Sequence, residues 1–568
     1  LHAALLAAAL VIVVAVVDNG SIAVNDEGVY ATQAQSLSEG SWWSQRPAAD
    51  ADPDGAAIPL MDSTVRGDEI IAYGRHPLYP LVITPAFEIG GYSGALFTSA
   101  AGVLAAALAA AFLARRLAPK YGIPALWAAG LGCPLAVDAP VLWAHAMAAA
   151  CAWLAYLGVA RALDGRRVGV HLAYAVPAAM ATVMLRSEGI LFVSALGAIS
   201  ALEVIPAWRR ADRRRGWTAA SVGSGFAVLS ATTYLLDSRI SEWIGGGGGY
   251  GANVSTLVLG EKTGPSDAIW VSLIRPWIGS YARANHLYLS GLVFVLLAVL
   301  AIRFLPRSTA VPFVLVVFAP VAIVASLFWG GVEGAALITG LFPAFPALSA
   351  AILLVRRSDF GNAEFRRAIA LALVVGSLLV GTIYDIGGAT EWGGRYFHIL
   401  LVPLIGPMIW VIDQRRTVFE PVERRVLFAC VGVLLLGPSL VGLNAIRTAK
   451  KPVALEVEAL ARVAADMADG DGRPLAAVWR INRDGSSRQF WALGDQVDVL
   501  QLGRYPSVSA FLALPAVRER GTVVVVTDVS ASVFKTLFGS GAGWKLDEAS
   551  SVSAGRVTFL VVRLDQPA

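Results

Sequence analysis

Asp26 and Glu27 stand side by side in Asn25-Asp26-Glu27-Gly28-Val29-Tyr30-Ala31, directly after the first long apolar run of the chain. A carboxylate at the outer surface of a membrane can act as a general base on an acceptor hydroxyl while a lipid carries the leaving group. The competing reading is capping: Asn25 is a good N-cap residue, and carboxylates in a first helical turn gain about 0.3–1 kcal/mol each from the helix dipole. A helix is expected from Asp26 to about Glu39, with Gly40 just past its end. At about 3.6 residues per turn, Asp26, Tyr30, Gln33 and Leu37 share one face, and Glu27 points about 100° away from Asp26. The two carboxylates therefore have different surroundings.

Three further clusters carry groups able to bind anions. In Tyr73-Gly74-Arg75-His76-Pro77-Leu78-Tyr79-Pro80 the two prolines set the angle at which the chain enters the next apolar segment. Arg75 and His76 then lie near headgroup depth, where an arginine either snorkels or grips a phosphate bidentately. Arg186-Ser187-Glu188 sits between two apolar runs, where charges are costly unless paired or facing an aqueous cavity. A salt bridge between neighbouring helices competes there with a site role. The third cluster is Glu391-Trp392-Gly393-Gly394-Arg395-Tyr396-Phe397-His398, in which the paired glycines allow close backbone approach. Arg395, Tyr396 and His398 form a compact donor set, against the alternative of an aromatic belt with an arginine anchor. Asp138 and Trp143-Ala144-His145 map to the same boundary, and a lone histidine there is more often a structural hydrogen bonder.

The elements that position these groups are membrane spans. The 568 residues are 56% hydrophobic and only 15% charged, whereas soluble domains carry about 25% charged residues. Apolar runs near 20 residues, enough to cross about 30 Å of hydrocarbon, recur through most of the chain. Thirteen spans are expected, near 1–17, 94–114, 122–139, 142–163, 168–186, 189–207, 217–236, 286–304, 309–328, 337–355, 368–386, 397–412 and 426–446. With that count every basic cluster falls on one side: Arg115, Arg116 and Lys120; Arg161, Arg166 and Arg167; Arg209 to Arg215; Arg303 and Arg307; Arg356, Arg357, Arg366 and Arg367; Arg415, Arg416, Arg424 and Arg425. Lys and Arg are retained in the cytoplasm on insertion. The first loop (18–93), the second large loop (237–285) and the tail are therefore expected outside, and every candidate cluster lies on that outer face.

Residues 1–449 are expected to form the membrane domain and 450–568 a small extracytoplasmic α/β domain. In the latter an amphipathic helix is expected at about 453–468, strands at 475–480, 497–502, 522–527 and 556–563, and a helix at 529–539. The chain opens at Leu1 without methionine, so a short preceding flank is expected, and the first apolar run lacks a signal-peptide cleavage pattern. Cys133, Cys151 and Cys430 lie in apolar runs without CxxC spacing, which points to neither a disulfide framework nor a zinc site. Gly245–Gly249 has neither the preceding strand nor the following Lys-Ser/Thr of a phosphate loop and is expected to be a hinge. Asn253-Val254-Ser255 matches a glycosylation sequon, a triplet common by chance.

In order and sidedness these residues resemble the GT-C class of membrane glycosyltransferases. The acidic pair Asp26-Glu27 after the first span is similar to that class's acidic motif, and is Asp-Glu as in its protein mannosyltransferases. The Arg75-His76-Pro77-Leu78-Tyr79-Pro80 segment is similar to the proline-containing end of the class's first loop. Leu185-Arg186-Ser187-Glu188-Gly189 resembles its Arg-x-Glu element, and Arg395-Tyr396 its late Arg-Tyr. The resemblance covers about 1–445 and implies an inverting transfer outside the cytoplasm from a polyprenyl-phosphate sugar donor. It implies Asp26 as the base, with Glu27 as second choice or as a helper that orients the acceptor or a divalent ion. Arg75, Arg395 and Arg186 would bind the donor phosphate, with Tyr30, His76, Tyr79, Glu188, Tyr396 and His398 lining the cavity. Two adjacent carboxylates do not make a metal site, so no metal ligands are assigned, although a divalent cation stays open.

The expected partners are the polyprenyl-phosphate sugar, a glycan, lipid or protein acceptor and the bilayer of the plasma (inner) membrane, with no nucleic acid. The Ala- and Gly-rich, Lys-poor composition resembles that of high-GC actinobacteria, which makes mannose or arabinofuranose reasonable sugars and a cell-envelope glycan a reasonable acceptor. Two other classes compete. A transporter or flippase of lipid-linked saccharides would place its polar residues near the bilayer midplane, often in two repeated halves, whereas these cluster at one face and no internal repeat is found. A scaffold acting through the C-terminal domain is the third, and that domain suits acceptor or partner binding better than chemistry.

Overall fold

Inside a bilayer a backbone N–H or C=O finds no water, so an apolar run satisfies its own hydrogen bonds as a helix. The computed structural model describes residues 1–46, 48–52, 57, 64–71, 76–165, 167–245, 277, 286–305, 310–329, 340–382, 394–467, 473–479, 486–494, 496–502, 508–538 and 543–565. The first helices are α1 (His2–Val17), α2 (Asn25–Ser38), α3 (Leu78–Leu117), α4 (Gly122–Gly130), α5 (His145–Leu163), α6 (Val168–Leu185), α7 (Glu188–Leu202), α8 (Val204–Arg209) and α9 (Arg213–Trp243). They are followed by His286–Phe304, Val311–Trp329, Leu341–Ala344, Pro346–Leu354, Ala363–Thr382, His398–Arg415 and Pro421–Met467. Large apolar side chains such as Ile12, Phe97, Val228, Phe318 and Leu373 point outward along the bundle, where only lipid would not be repelled by them.

The protein is a multi-pass membrane protein: eight of the described helical segments are long and apolar enough to cross a bilayer. The count of thirteen is not reached by that measure. The expected span 122–139 is the nine-residue α4 followed by a 3-10 turn, Pro134–Asp138. Gly130, Gly132 and Pro134 interrupt the helical ladder there. The expected span 337–355 divides into Leu341–Ala344 and Pro346–Leu354, because Phe345 before a proline leaves the helical region (φ −137°, ψ 67°). The span expected at 94–114 is the second half of α3, whose 40 residues bend at Gly90 and Gly91. Gly91 takes φ +56°, a conformation open chiefly to glycine. The amphipathic helix expected at about 453–468 is not separate, since Pro421–Met467 runs unbroken through the 449/450 boundary.

The bundle has two chemically distinct ends. At one, Arg116 binds Glu364 and Asp164, Lys120 binds Asp413, Arg367 and Arg215 share Glu203, and Arg415 binds Asp359. These are the connections in which the basic clusters were expected. The same helices carry the candidate site residues at their opposite ends: Tyr79 opens α3, His145 opens α5, Arg186 closes α6, Glu188 opens α7 and Asp237 lies near the close of α9.

Close helix contact depends on small residues. A Cβ at Gly197 of α7 would meet the Gly223 carbonyl oxygen of α9 at 2.9 Å and the Ala227 nitrogen at 3.1 Å. Backbone approach of this kind is what holds helices together in lipid, where hydrophobic attraction between them is absent. Gly197→Leu is expected to wedge α7 from α9 at a loss of about 1–3 kcal/mol, measured as a lower melting temperature in detergent.

The C-terminal strands form a sheet in the order β5-β4-β6-β8-β7, with β4 Leu475–Val478, β5 Asp498–Gln501, β6 Thr522–Thr527, β7 Trp544–Ala554 and β8 Val557–Leu564. β4 is parallel to β5 and β6, and β8 is antiparallel to β6 and β7. β7 is a strand beyond those expected, and its exposed alternating face explains the missed signal. Residues alternate across the sheet: Ala476, Val524 and Val526 pack on Leu460, Val463 and Ala464 of the long helix. Leu475, Val523 and Val525 pack on the other side with Phe511, Phe534 and three residues of the first loop, Ala48, Ala51 and Ala57. That loop also holds a short sheet of β1 (Ser44–Gln45), β2 (Thr64–Arg66) and β3 (Glu69–Ile71), ordered β1-β3-β2. The Gln501 N–H donates to the Ala57 carbonyl at 2.7 Å, and Arg520 pairs with Asp50 at 2.9 Å. The C-terminal unit thus grips the loop that carries the acidic pair.

Candidate active site

α2 begins at Asn25, with Val24 rather than Asn25 in the N-cap position. The free N–H groups at this helix start are taken up by Glu27, whose Oε2 accepts from Ala23 at 2.5 Å and Val24 at 3.1 Å. Its Oε1 accepts from the Tyr92 hydroxyl and from the Leu142 N–H at 2.9 Å. Glu27 is fully buried, and both oxygens are saturated by donors from α3, the 138–144 segment and the two residues that lead into α2. In this structure Glu27 ties the start of α2 to α3 and to the 138–144 segment, and service as a second base would require it to release one of these bonds. The expectation that the two carboxylates differ in surroundings holds in a stronger form.

Asp26 faces the other way. Its side chain is 42% exposed, and its Oδ2 receives the Arg395 guanidinium at 2.8 Å. Arg395 follows Gly394, which takes φ +63° and turns the chain so that the guanidinium lies across the Tyr396 ring at 5.0 Å and the Trp143 ring at 5.6 Å. Arg395 also donates to the Tyr396 hydroxyl at 3.2 Å. Two positions 369 residues apart in sequence are thus brought into contact.

Arg186 continues the cluster. It donates to Glu188 at 3.1 Å and lies 5.5 Å from the centre of the Tyr396 ring. Glu188 reaches His145 at 3.6 Å, and His145 packs edge-on against Tyr396. Burial pushes the Tyr30 phenol above its usual range, with the Arg186 charge opposing, so the phenol stays a protonated donor. Behind Tyr30, Tyr79 packs edge-on at 4.8 Å and bonds Ser99. His76 Nε2 lies 2.9 Å from the Ser187 hydroxyl, and Nδ1 lies 3.3 Å from the buried Asp237 carboxylate. His76 adopts φ +50°, a left-handed conformation costing about 1–3 kcal/mol, which persists only where the surroundings hold it.

The structure therefore gathers Asp26, Tyr30, His76, Arg186, Glu188, Arg395 and Tyr396 at one end of the bundle. Tyr79 and His398 stand behind this group: both are fully buried, and His398 is held by Asp138 at 3.0 Å. Neither ring has an exposed face in this structure. Arg75, Glu391 and Trp392, Gly246 to Gly249, the Asn253 sequon and most of the second large loop lie outside the described residues. Among the described residues no three His, Cys, Asp or Glu side chains converge as metal ligands.

Three contributors were not singled out from sequence. Asp237 falls one residue past the expected end of a span, and a carboxylate so near lipid was its signal. Tyr92 and Lys450 carry no local signal. Lys450 is fully buried, donates to the Tyr92 hydroxyl at 3.2 Å and lies 3.7 Å from Asp18. Its own carbonyl accepts the Ser21 hydroxyl at 2.8 Å.

By sequence, no family model and no curated protein matches the chain. By structure, nine chains match. The crystal structure of ArnT from Cupriavidus metallidurans in the apo state superposes with a TM-score of 0.50 and 14% identity, over 99% of this chain and 98% of that one. The fold is that of ArnT. The crystal structure of ArnT bound to undecaprenyl phosphate superposes equally, with a TM-score of 0.50 and 12% identity over 100% and 99% of the two chains. The helical membrane architecture with a small C-terminal sheet unit is thus one that the ArnT structures share. The ArnT likeness extends through that C-terminal unit, beyond the 1–445 over which the sequence motifs could be matched.

Proposed function

We propose that this protein is a membrane glycosyltransferase that moves a sugar from a polyprenyl-phosphate donor to an extracytoplasmic hydroxyl acceptor with inversion. The observation that carries the reading is the Asp26–Arg395 contact of 2.8 Å, which sets a half-exposed carboxylate against a guanidinium backed by Arg186. In an inverting transfer the base and the phosphate site flank the anomeric carbon from opposite sides, and this contact puts a candidate for each beside the same cavity. The crystal structure of ArnT bound to undecaprenyl phosphate supports a polyprenyl-phosphate carrier for the donor sugar here.

In this mechanism Asp26 takes the acceptor hydroxyl proton. The oxygen attacks the anomeric carbon from the face opposite the phosphate, and the carbon–oxygen bond to phosphate breaks with its electron pair. The phosphate gains one negative charge as it leaves, and Arg395 and Arg186, held in a water-poor site, neutralise it as it develops. Donor phosphate competes with Asp26 for Arg395, so donor binding itself frees the base. Arg75 is assigned as a further phosphate contact on sequence alone. The positive-inside pattern supports the basic end as cytoplasmic and the site as outside the plasma membrane. The C-terminal domain, which grips the first loop, is proposed to present the acceptor. A hexose or pentose donor and a cell-envelope glycan, lipid or protein acceptor fit this reading.

The test is purified protein in liposomes with radiolabelled polyprenyl-phosphate sugar and candidate acceptors. Label is expected to pass to acceptor. Passage of intact labelled lipid across the bilayer with no transfer would establish the flippase instead. Arg395→Ala should raise the donor KM about 10- to 100-fold, since a charge-assisted hydrogen bond contributes about 1.5–3 kcal/mol.

A further inference from the structure

A second feature lies at the opposite end of the bundle and takes no part in the reaction above. α6 and α9 diverge to leave an outward-facing groove of about 570 Å³. Its walls are apolar, among them Leu172 and Val176 of α6 and Val222, Phe226 and Leu229 of α9. From Arg214 to Leu229 the groove follows about 22 Å of helix at 1.5 Å per residue. That exceeds one hydrocarbon leaflet, about 15 Å, so the groove is long enough for an extended acyl chain. Gly225 forms part of the wall, and nothing stands within 4 Å of where its Cβ would be.

The mouth is chemically unlike the groove. Arg214 lines it, and Arg209, Arg210 and Arg213 are exposed beside it. None of these four guanidiniums has an ion-pair partner among the described residues, whereas the neighbouring Arg215 is held by Glu203. Two indoles frame the same mouth: Trp208 and Trp217 are 56% and 67% exposed and meet edge-on at 6.5 Å. Their placement is built in, since a Cβ at Gly216 would strike the Trp208 ring at 2.3 Å. Exposed tryptophans mark the interfacial depth of a bilayer, and uncompensated arginines at the end of an inter-helix groove recruit anionic headgroups.

We propose that this groove holds a single anionic phospholipid from the leaflet at the basic end. One acyl chain lies between α6 and α9, and the phosphate sits on Arg214 and Arg213. The site differs from ordinary lipid contact in requiring both a negative headgroup and the space beside Gly225.

Native mass spectrometry of the purified protein, after exchange into phosphatidylglycerol or into phosphatidylcholine with the same tails, tests this. One phosphatidylglycerol is expected to be retained at detergent concentrations that strip phosphatidylcholine. Arg214→Gln should weaken that retention about five-fold, and Gly225→Leu, which fills the groove, should remove it. Equal retention of the two lipids overturns the proposal, as does undiminished retention in both variants. Arg214 is exposed and unpaired, so its variant folds and decides the matter even where Gly225→Leu does not. Neither residue belongs to the transfer site, so loss of lipid with transfer intact separates this proposal from the enzymatic one.

Discussion

Asp26→Asn is expected to lower kcat for sugar transfer by about 10²–10⁴-fold, the range supplied by a positioned general base, while leaving the melting temperature unchanged. The amide keeps the shape and can still meet Arg395 through its oxygen, but it cannot accept the acceptor's proton. The 42% exposure of the Asp26 side chain makes its contribution to folding small, because exposed ion pairs are worth about 0–1 kcal/mol. Donor affinity should rise or hold, since the substitution removes the carboxylate that competes for Arg395. The measurement is initial rate against donor concentration beside a thermal melt of the same preparation. Full activity would remove Asp26 from the chemistry.

The neighbouring residue should behave in the opposite way. Glu27→Ala is expected to cost about 3 kcal/mol or more, because each buried donor left without an acceptor costs about 1–3 kcal/mol. Tyr92, Leu142, Ala23 and Val24 all lose their acceptor. The Lys450 ammonium, which donates to Tyr92, then faces a hydroxyl that has itself lost its partner. A fall of about 5 °C or more in melting temperature follows, together with less protein in the membrane. Activity should fall as well, because the start of α2 sets where Asp26 points. A Glu27→Ala protein as stable as the parent would show that α2 is anchored elsewhere. The paired experiment separates adjacent carboxylates that composition and spacing leave alike.

Much of the architecture is legible in the sequence because its causes are local. Apolar runs specify helices, since no other conformation satisfies their backbone in lipid. Arginine clusters fall at one end of those helices, and in the structure they are tied together there, as Arg116 with Glu364 shows. The strands 475–478, 498–501, 522–527 and 557–564 appear where β-rich runs were expected. β7 was missed because its residues lie at the sheet edge with little burial to impose a pattern. The breaks within two expected spans went unread because overall hydrophobicity outweighed the glycines before Pro134 and the Phe345-Pro346 step, and proline alone is no reliable signal when Pro438 and Pro452 lie inside an unbroken helix.

The sequence by itself determined which residue types are available for chemistry, that they sit at one end of apolar helices, and that Asp26 and Glu27 must differ. Only the tertiary structure decided how they differ. Arg395 meets Asp26 across 369 residues of chain, and Glu27 is enclosed by Tyr92 and Leu142. Lys450 reaches the same network from the far end of the membrane domain. Side-chain periodicity is a property of one helix and can be read along the chain. The partner that saturates or exposes a carboxylate is set by which helices pack together, and no local pattern records that choice.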